Sequence, residues 1–96
     1  MRINDAVEKK RLEILHTVSR YGGKNVRLFG SVARGAATDS SDLDILLEME
    51  QGRSLLDLVA IQQDLEDLLG NPVHVVTEAS LSPYFRDEVL KEAISL

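Results

Sequence analysis

The stretch Val26-Arg27-Leu28-Phe29-Gly30-Ser31-Val32-Ala33-Arg34-Gly35, with its continuation Ser40-Ser41-Asp42-Leu43-Asp44-Ile45-Leu46-Leu47, decides the fold of this chain. It contains an apolar run, a glycine-serine turn, a polar loop and a second apolar run that opens with two acids. The apolar runs predict two strands joined by the loop. Unpaired carboxylates resist burial, so Asp42 and Asp44 must have a partner or a function.

The chain as a whole has the size of one domain. Its 96 residues predict a single unit over 1–96. No apolar run approaches the ~20 residues that span a bilayer, and no signal-peptide pattern opens the sequence. It has no cysteine, which excludes disulfides and thiolate metal sites. We therefore expect a cytoplasmic protein with no membrane partner.

Charge is unevenly distributed along the chain. The net charge is -5, which disfavours a nucleic-acid substrate, because phosphate contacts need clustered Lys and Arg. Residues 1–38 carry eight basic and three acidic side chains, and residues 39–96 carry three basic and thirteen acidic ones. Either the surface charge varies without consequence, or a basic half and an acidic half meet at a site for phosphates and cations.

Periodicity and turn signals predict the order α-β-β-α-β-α. A first helix begins near Asn4 or Asp5 and stops at Gly22-Gly23, and strands follow at 26–29 and 43–49. A second helix runs from the N-cap Ser54 to Gly70, a third strand covers 72–77, and a last helix starts at Ser82-Pro83. These elements predict an α+β layered domain in which three helices cover a small mixed sheet.

Each helix has an apolar side that we expect to face the sheet. Ser54, with Asp57 three residues later, predicts a capping box for the second helix. The expected inner face of the first helix is Val7, Leu15 and Val18, widened by Leu12 and Ile14. That of the second helix is Leu55, Leu58, Ile61, Leu65 and Leu68, and that of the last helix is Phe85, Val89 and Ala93.

The two aspartates have the spacing of a metal-binding pair. In a strand, residues i and i+2 point to the same side about 6–7 Å apart, so Asp42 and Asp44 project together. A divalent cation would relieve their repulsion, and Mg²⁺ commonly takes one or two carboxylates and completes its coordination with water and phosphates. The alternative is that these acids cap or salt-bridge the loop at 38–41.

The glycine-serine turn before the loop has the chemistry of an anion site. Gly30 lets the backbone approach a ligand closely, and N–H groups at such a turn bind anions. The Ser31 hydroxyl adds a donor, and the Arg34 guanidinium could hold phosphate. A Gly-Ser pair alone is usually only a turn. Followed ten residues later by Asp42-x-Asp44, it places a phosphate cradle opposite a metal pair.

Gly30-Ser31, ten residues and then Asp42-x-Asp44 resembles the signature of the DNA polymerase β-like nucleotidyltransferase superfamily. The fuller run 29–35 with 41–44 resembles its small prokaryotic branch, the minimal nucleotidyltransferases. The similarity continues in Gly52-Arg53-Ser54-Leu55-Leu56-Asp57-Leu58 and in Val75-Val76-Thr77-Glu78, and so covers nearly the whole chain.

The resemblance implies a role for each position of the motif. Gly30 and Ser31 would hold the β- and γ-phosphates of a nucleoside triphosphate such as ATP, with help from Arg34. Asp42 and Asp44 would bind one or two Mg²⁺ ions and act in catalysis. The expected reaction transfers a nucleotidyl group to an acceptor and releases pyrophosphate.

The third strand departs from the family pattern at His74. The resemblance implies a third catalytic carboxylate there, where relatives read Val-Asp-Val-Val and this chain reads Val73-His74-Val75-Val76. His74 could act as a substitute base, since its unperturbed pKa is about 6.5. It could instead mark a site that binds nucleotide and transfers it slowly or not at all, or be a structural strand histidine. Glu78 is the nearest alternative acid, and we expect it beyond the strand end.

The resemblance also implies a partner. Minimal nucleotidyltransferases are commonly paired with a small helical toxin of the HEPN class, and can act as antitoxin by transferring AMP to a toxin tyrosine. A competing hypothesis is a binding module that neutralises its partner by contact. Transfer to a small molecule such as an aminoglycoside ranks lower, and nucleic-acid polymerisation lower still. The sequence leaves homo-oligomerisation open.

Overall fold

A four-stranded mixed sheet lies at the centre of the molecule. The computed structural model describes residues 3–35 and 42–96. Its strands are β1 (Gly23–Phe29), β2 (Leu43–Met49), β3 (Val73–Thr77) and β4 (Ile94–Ser95), in the spatial order β3-β2-β1-β4. β1 runs antiparallel to β2 and β4, and β2 runs parallel to β3. The three predicted strands are confirmed, whereas the two residues of β4 are too short to give a sequence signal.

The helices of the described ranges are α1 (Ile3–Lys9), α2 (Arg11–Arg20), α3 (Gly30–Ala33), α4 (Leu55–Leu69) and α5 (Pro83–Glu92), with a 3₁₀ turn at Glu78–Ser80. The α+β class is confirmed. The helices outnumber the predicted three because the first helical segment divides at Lys10 and the Gly30 turn forms α3. Within these ranges, no helix combines the length and apolar character that crossing a membrane requires.

The main core lies between α1, α2 and α4 and one face of the sheet. Leu43, Ile45 and Leu47 of β2 point into it and are completely buried. Ile61 and Leu65 of α4 cover them from the helix layer, also with no exposed surface. Burying each of these side chains contributes about 1.5–3 kcal/mol. Because strand side chains alternate, the residues between them project to the opposite face of the sheet.

Three predicted inner faces are wrong in part. In α2, Ile14 and Val18 are fully buried while Leu12 is 69% exposed. Leu55 at the start of α4 is 73% exposed, and Phe85 of α5 is 62% exposed. Periodicity reports the side of the helix a residue occupies, but not whether another layer reaches that turn. Among the described ranges no layer covers the first turn of α4, and α5 contains no fully buried residue.

The predicted boundaries of α4 are confirmed by its caps. Ser54 and Asp57 form a reciprocal capping box, in which the Ser54 N–H donates to Asp57 Oδ2 at 2.9 Å. Gly70 ends the helix in the left-handed conformation, at φ 73°. Ser82 likewise caps α5, whose first residue is Pro83. Such caps satisfy helix-end N–H and C=O groups that otherwise lack partners.

Candidate functional site

The face of the sheet opposite the main core brings both aspartates and the histidine together. In the parallel pairing of β2 and β3, Asp44 lies beside His74. Asp42 directly precedes β2, and its Oδ2 is 2.8 Å from His74 Nε2. An ionised carboxylate only accepts hydrogen bonds, so the imidazole N–H is the donor. The strand register that puts His74 on the aspartate face is therefore confirmed.

The pKa values of two of these groups are raised. Partial burial raises the pKa of the Asp44 carboxyl above its ordinary value; His74 and Arg34 oppose this, while Asp42 and Glu92 add to it. The hydrogen bond to Asp42 raises the pKa of His74; burial opposes this rise, and the charge of Asp44 adds to it. The site thus concentrates negative charge that a cation would stabilise.

Gly30 makes room for Asp44. It directly follows β1 and has φ 72°, a conformation that favours glycine. A Cβ at this position would collide with the Asp44 carboxylate. The glycine of the sequence motif is therefore required by the packing of the candidate metal ligand as well as by the turn. Ser31 follows it in α3 and is half-buried.

Two of the predicted anion-binding groups, the Gly30 N–H and Arg34, are close together and bind the carboxylate of Glu92. The Gly30 N–H donates to Glu92 Oε1 at 2.7 Å. Arg34 Nη1 donates to both carboxylate oxygens, each at 3.1 Å. Glu92 is the last residue of α5, and no sequence motif pointed to it, because it lies 62 positions from Gly30. This contact is the part of the site that sequence reasoning missed.

The remaining sequence predictions have separate outcomes. Glu78 lies just beyond the end of β3, as expected, and forms an ion pair with Arg27 of β1. His16, the second histidine of the chain, is exposed on α2. The loop 38–41, which the aspartates were alternatively expected to cap or salt-bridge, lies outside the described residues.

The donors present fit a magnesium ion. Asp42 and Asp44 offer hard carboxylate oxygens on one face, and the bond to His74 uses only Oδ2 of Asp42. In the ranges 3–35 and 42–96, no set of three or more His, Cys, Asp or Glu side chains forms a metal cluster. Two carboxylates, with water and substrate phosphates completing the coordination, are nevertheless a common Mg²⁺ arrangement.

A cleft of about 440 Å³ lies at the other end of β1, β2 and β3. It is lined by Lys24, Glu48, Met49, Thr77, Glu78, Ala79 and Arg86. It contains none of the predicted site residues. We take the aspartate end as the candidate site, because paired acids, a histidine and a glycine turn meet there.

This combination defines a class of protein, the small α+β nucleotidyltransferases, in which a Gly-Ser turn after the first strand faces two acids on the next. Residues 8–96 match the nucleotidyltransferase domain family model, so the chain belongs to this family of enzymes.

Comparisons with individual proteins agree with this assignment. The chain is 41% identical over 96 residues to a protein of Methanocaldococcus jannaschii named as a candidate protein adenylyltransferase, covering 100% of this chain and 99% of the relative. A solved structure described as a candidate minimal nucleotidyltransferase is 45% identical, with a TM-score of 0.88 over 100% of this chain and 97% of the other. A toxin-antitoxin structure, MntA-HpeT in a tyrosine-to-alanine mutant form, has a TM-score of 0.71 at 25% identity. The match covers 93% of this chain and 70% of the other.

Proposed function

We propose that this protein is a Mg²⁺-dependent adenylyltransferase that transfers AMP from ATP to a tyrosine hydroxyl of a HEPN-type toxin and thereby acts as its antitoxin. The observation that carries the proposal is the convergence of Asp42, Asp44 and His74 beside the Gly30 turn. The adenylyltransferase name of a relative supports AMP as the group transferred. The toxin-antitoxin neighbour supports a toxin as partner. Because the reaction consumes ATP, we expect it in the cytoplasm.

In the proposed reaction the acceptor oxygen attacks the α-phosphorus of ATP. The new P–O bond replaces the bond to the β-phosphate, pyrophosphate leaves, and the hydroxyl proton passes to the imidazole of His74. A bound Mg²⁺ would neutralise charge on the triphosphate. Asp42 and Asp44 would hold it, while Gly30 N–H and Arg34 would orient the phosphates. The His74 imidazole lies beside both aspartates and is a group that can take up this proton.

Transfer can be tested by mass spectrometry. The protein, Mg·ATP and a purified HEPN-type toxin encoded beside it are incubated together, and the intact mass of the toxin is recorded. We expect the addition of one AMP, located on tyrosine by fragmentation. Asp42→Asn with Asp44→Asn should abolish the addition, because both carboxylates for the cation are lost.

The matched control replaces two exposed carboxylates away from the site, Asp67→Asn with Asp87→Asn, and should leave the addition unchanged. The proposal is wrong if the Asp42/Asp44 variant labels the toxin as fast as the wild type, or if no labelling occurs in a complex that forms.

A second candidate function is neutralisation by contact alone. It is favoured by the internal pairing of the site, since Asp42 bonds His74 and Glu92 bonds Gly30 and Arg34. Under this hypothesis the Asp42→Asn, Asp44→Asn variant still protects cells from the toxin. Loss of protection in a variant that still forms the complex would exclude it.

A further inference from the structure

We infer that Glu92 is an affinity-determining residue of the nucleotide site: its carboxylate occupies the phosphate position, and the triphosphate must displace it. This inference rests on the proposed function, because it concerns the same Gly30 and Arg34 groups. It assigns a function to a residue outside the nucleotidyltransferase motif.

The contact has the geometry of anion recognition. Glu92 Oε1 accepts from the Gly30 N–H at 2.7 Å and from Arg34 Nη1 at 3.1 Å, and Oε2 accepts from the same Nη1 at 3.1 Å. A backbone N–H and a guanidinium are the donors that a phosphate oxygen would use. Since these donors cannot serve both anions in the same geometry, the carboxylate and the phosphate compete.

The end of α5 is fixed next to the site. Two residues after Glu92, Ile94 of β4 pairs with Leu28 of β1, and Leu28 lies two residues before Gly30. The Leu96 N–H also donates to Val26 O at 3.0 Å. The local concentration of the Glu92 carboxylate at the site is therefore high, as for any intramolecular ligand.

The carboxylate can nevertheless leave without unfolding the domain. The Glu92 side chain is 28% exposed and that of Arg34 is 57% exposed, so a change of rotamer carries the carboxylate into solvent. α5 contains no fully buried residue that would have to be extracted. Departure would also remove one negative charge from the neighbourhood of Asp44. A triphosphate, with several negative charges, can thus replace the single charge of Glu92.

The apparent dissociation constant of a ligand equals its intrinsic dissociation constant divided by the fraction of molecules in which the site is free. Glu92→Gln keeps the size of the side chain and removes its charge, which weakens the bonds to Arg34 and Gly30. We expect this variant to bind Mg·ATP about tenfold more tightly than the wild type, as for a site nine-tenths occupied by its own carboxylate.

The test is isothermal titration calorimetry of the full chain with Mg·ATP and, separately, with Mg·inorganic triphosphate. The matched control is Glu88→Gln, an exposed glutamate one turn earlier on α5, which should bind like the wild type. Tighter binding of both ligands by Glu92→Gln alone supports the inference, because the triphosphate lacks a base and reports the phosphate position. Circular dichroism confirms that each variant is folded.

Equal or weaker binding by a folded Glu92→Gln, when the wild type binds Mg·ATP, overturns the inference and leaves the proposed function standing. It would mean that Glu92 instead orients Arg34. Absence of Mg·ATP binding in all three proteins overturns the proposed function itself, and the role of Glu92 with it.

Discussion

At the scale of single residues, His74 determines how the site can work. A carboxylate at this position would add a third negative charge beside Asp42 and Asp44. The histidine instead donates a hydrogen bond to Asp42 and reduces the local charge when it is protonated. It can accept a proton but is a poorer ligand for Mg²⁺, which prefers oxygen. In the proposed site, metal binding would therefore depend on the two aspartates.

The bond to Asp42 predicts a pH dependence. The pKa of His74 is raised in the folded protein, so the stabilisation by this pair is fully present below the unfolded value of about 6.5. It is lost as the pH rises through the folded pKa. Because the side chains of His74 and Asp42 are 56% and 48% exposed, the contribution should not exceed about 1 kcal/mol.

NMR titration of the His74 ring proton in the metal-free protein measures this pKa. Asp42→Asn should lower it towards the unfolded value, because it removes the principal cause of the shift. The ring proton of His16, on α2, serves as an internal reference in the same spectra. A His74 pKa that does not respond to Asp42→Asn would show that the hydrogen bond is absent in solution.

At the scale of elements, the junction of β1 and α3 organises the site. Phe29, the last residue of β1, pairs with Asp44 of β2, and Gly30 leaves space for the Asp44 side chain. Ser31 then lies in α3, and Arg34 is the C-cap of that helix. Sequence reasoning predicted the turn and its candidate site residues. It could not show that the glycine is required by a side chain of the neighbouring strand, because that requirement arises from sheet pairing.

Two glycines allow this requirement to be measured. Gly30 and Gly35 have the same φ of 72°, but a Cβ on Gly35 meets no atom of residues 3–35 and 42–96 within 4 Å. Gly35→Ala should therefore lose only about 1–2 kcal/mol, the cost of a left-handed alanine. Gly30→Ala should lose about 1–3 kcal/mol more, the cost of overpacking against Asp44.

Urea denaturation of both variants gives the comparison, and AMP transfer gives a second measure. We expect Gly30→Ala to impair transfer strongly and Gly35→Ala to impair it much less, since only the former displaces Asp44. Equal losses of stability in the two variants would show that Asp44 does not pack against Gly30.

At the scale of the whole molecule, the two oppositely charged halves of the sequence meet. Arg34 from the basic half contacts Glu92, and Arg27 contacts Glu78, 51 positions further along the chain. Arg27 is only 9% exposed, and its Nη2 is buried without a partner in the described structure. Two ion pairs of the described structure thus join the two halves, one of them at the candidate phosphate site.

The buried pair predicts a large effect on stability. Glu78→Gln leaves the buried Arg27 guanidinium without its counter-charge and should lower the free energy of unfolding by about 3 kcal/mol. Arg27→Met should be milder, because it removes the buried charge itself. Glu88→Gln, at an exposed position, should change stability by no more than about 0.5 kcal/mol. Urea unfolding of the three variants decides the matter; a Glu78→Gln effect as small as that of Glu88→Gln would show that the pair is solvated.

The sequence by itself determined the α+β class, the three principal strands, the caps of α4 and the identity of the Gly30, Ser31, Asp42 and Asp44 motif. These features depend on local periodicity, turn chemistry and short spacing, all of which are written along the chain. It also identified His74 as a departure from the family pattern, and the sheet pairing places His74 beside Asp44.

Only the tertiary structure decided which apolar residues are buried, which charges pair and what occupies the anion-binding groups. Leu55 and Phe85 fit their helical stripes, yet no layer covers them. Glu92 belongs to no motif, yet it lies against Gly30 because β4 pairs with β1. Such contacts join positions tens of residues apart, so they follow from the packing of layers and strands, which local sequence patterns do not encode.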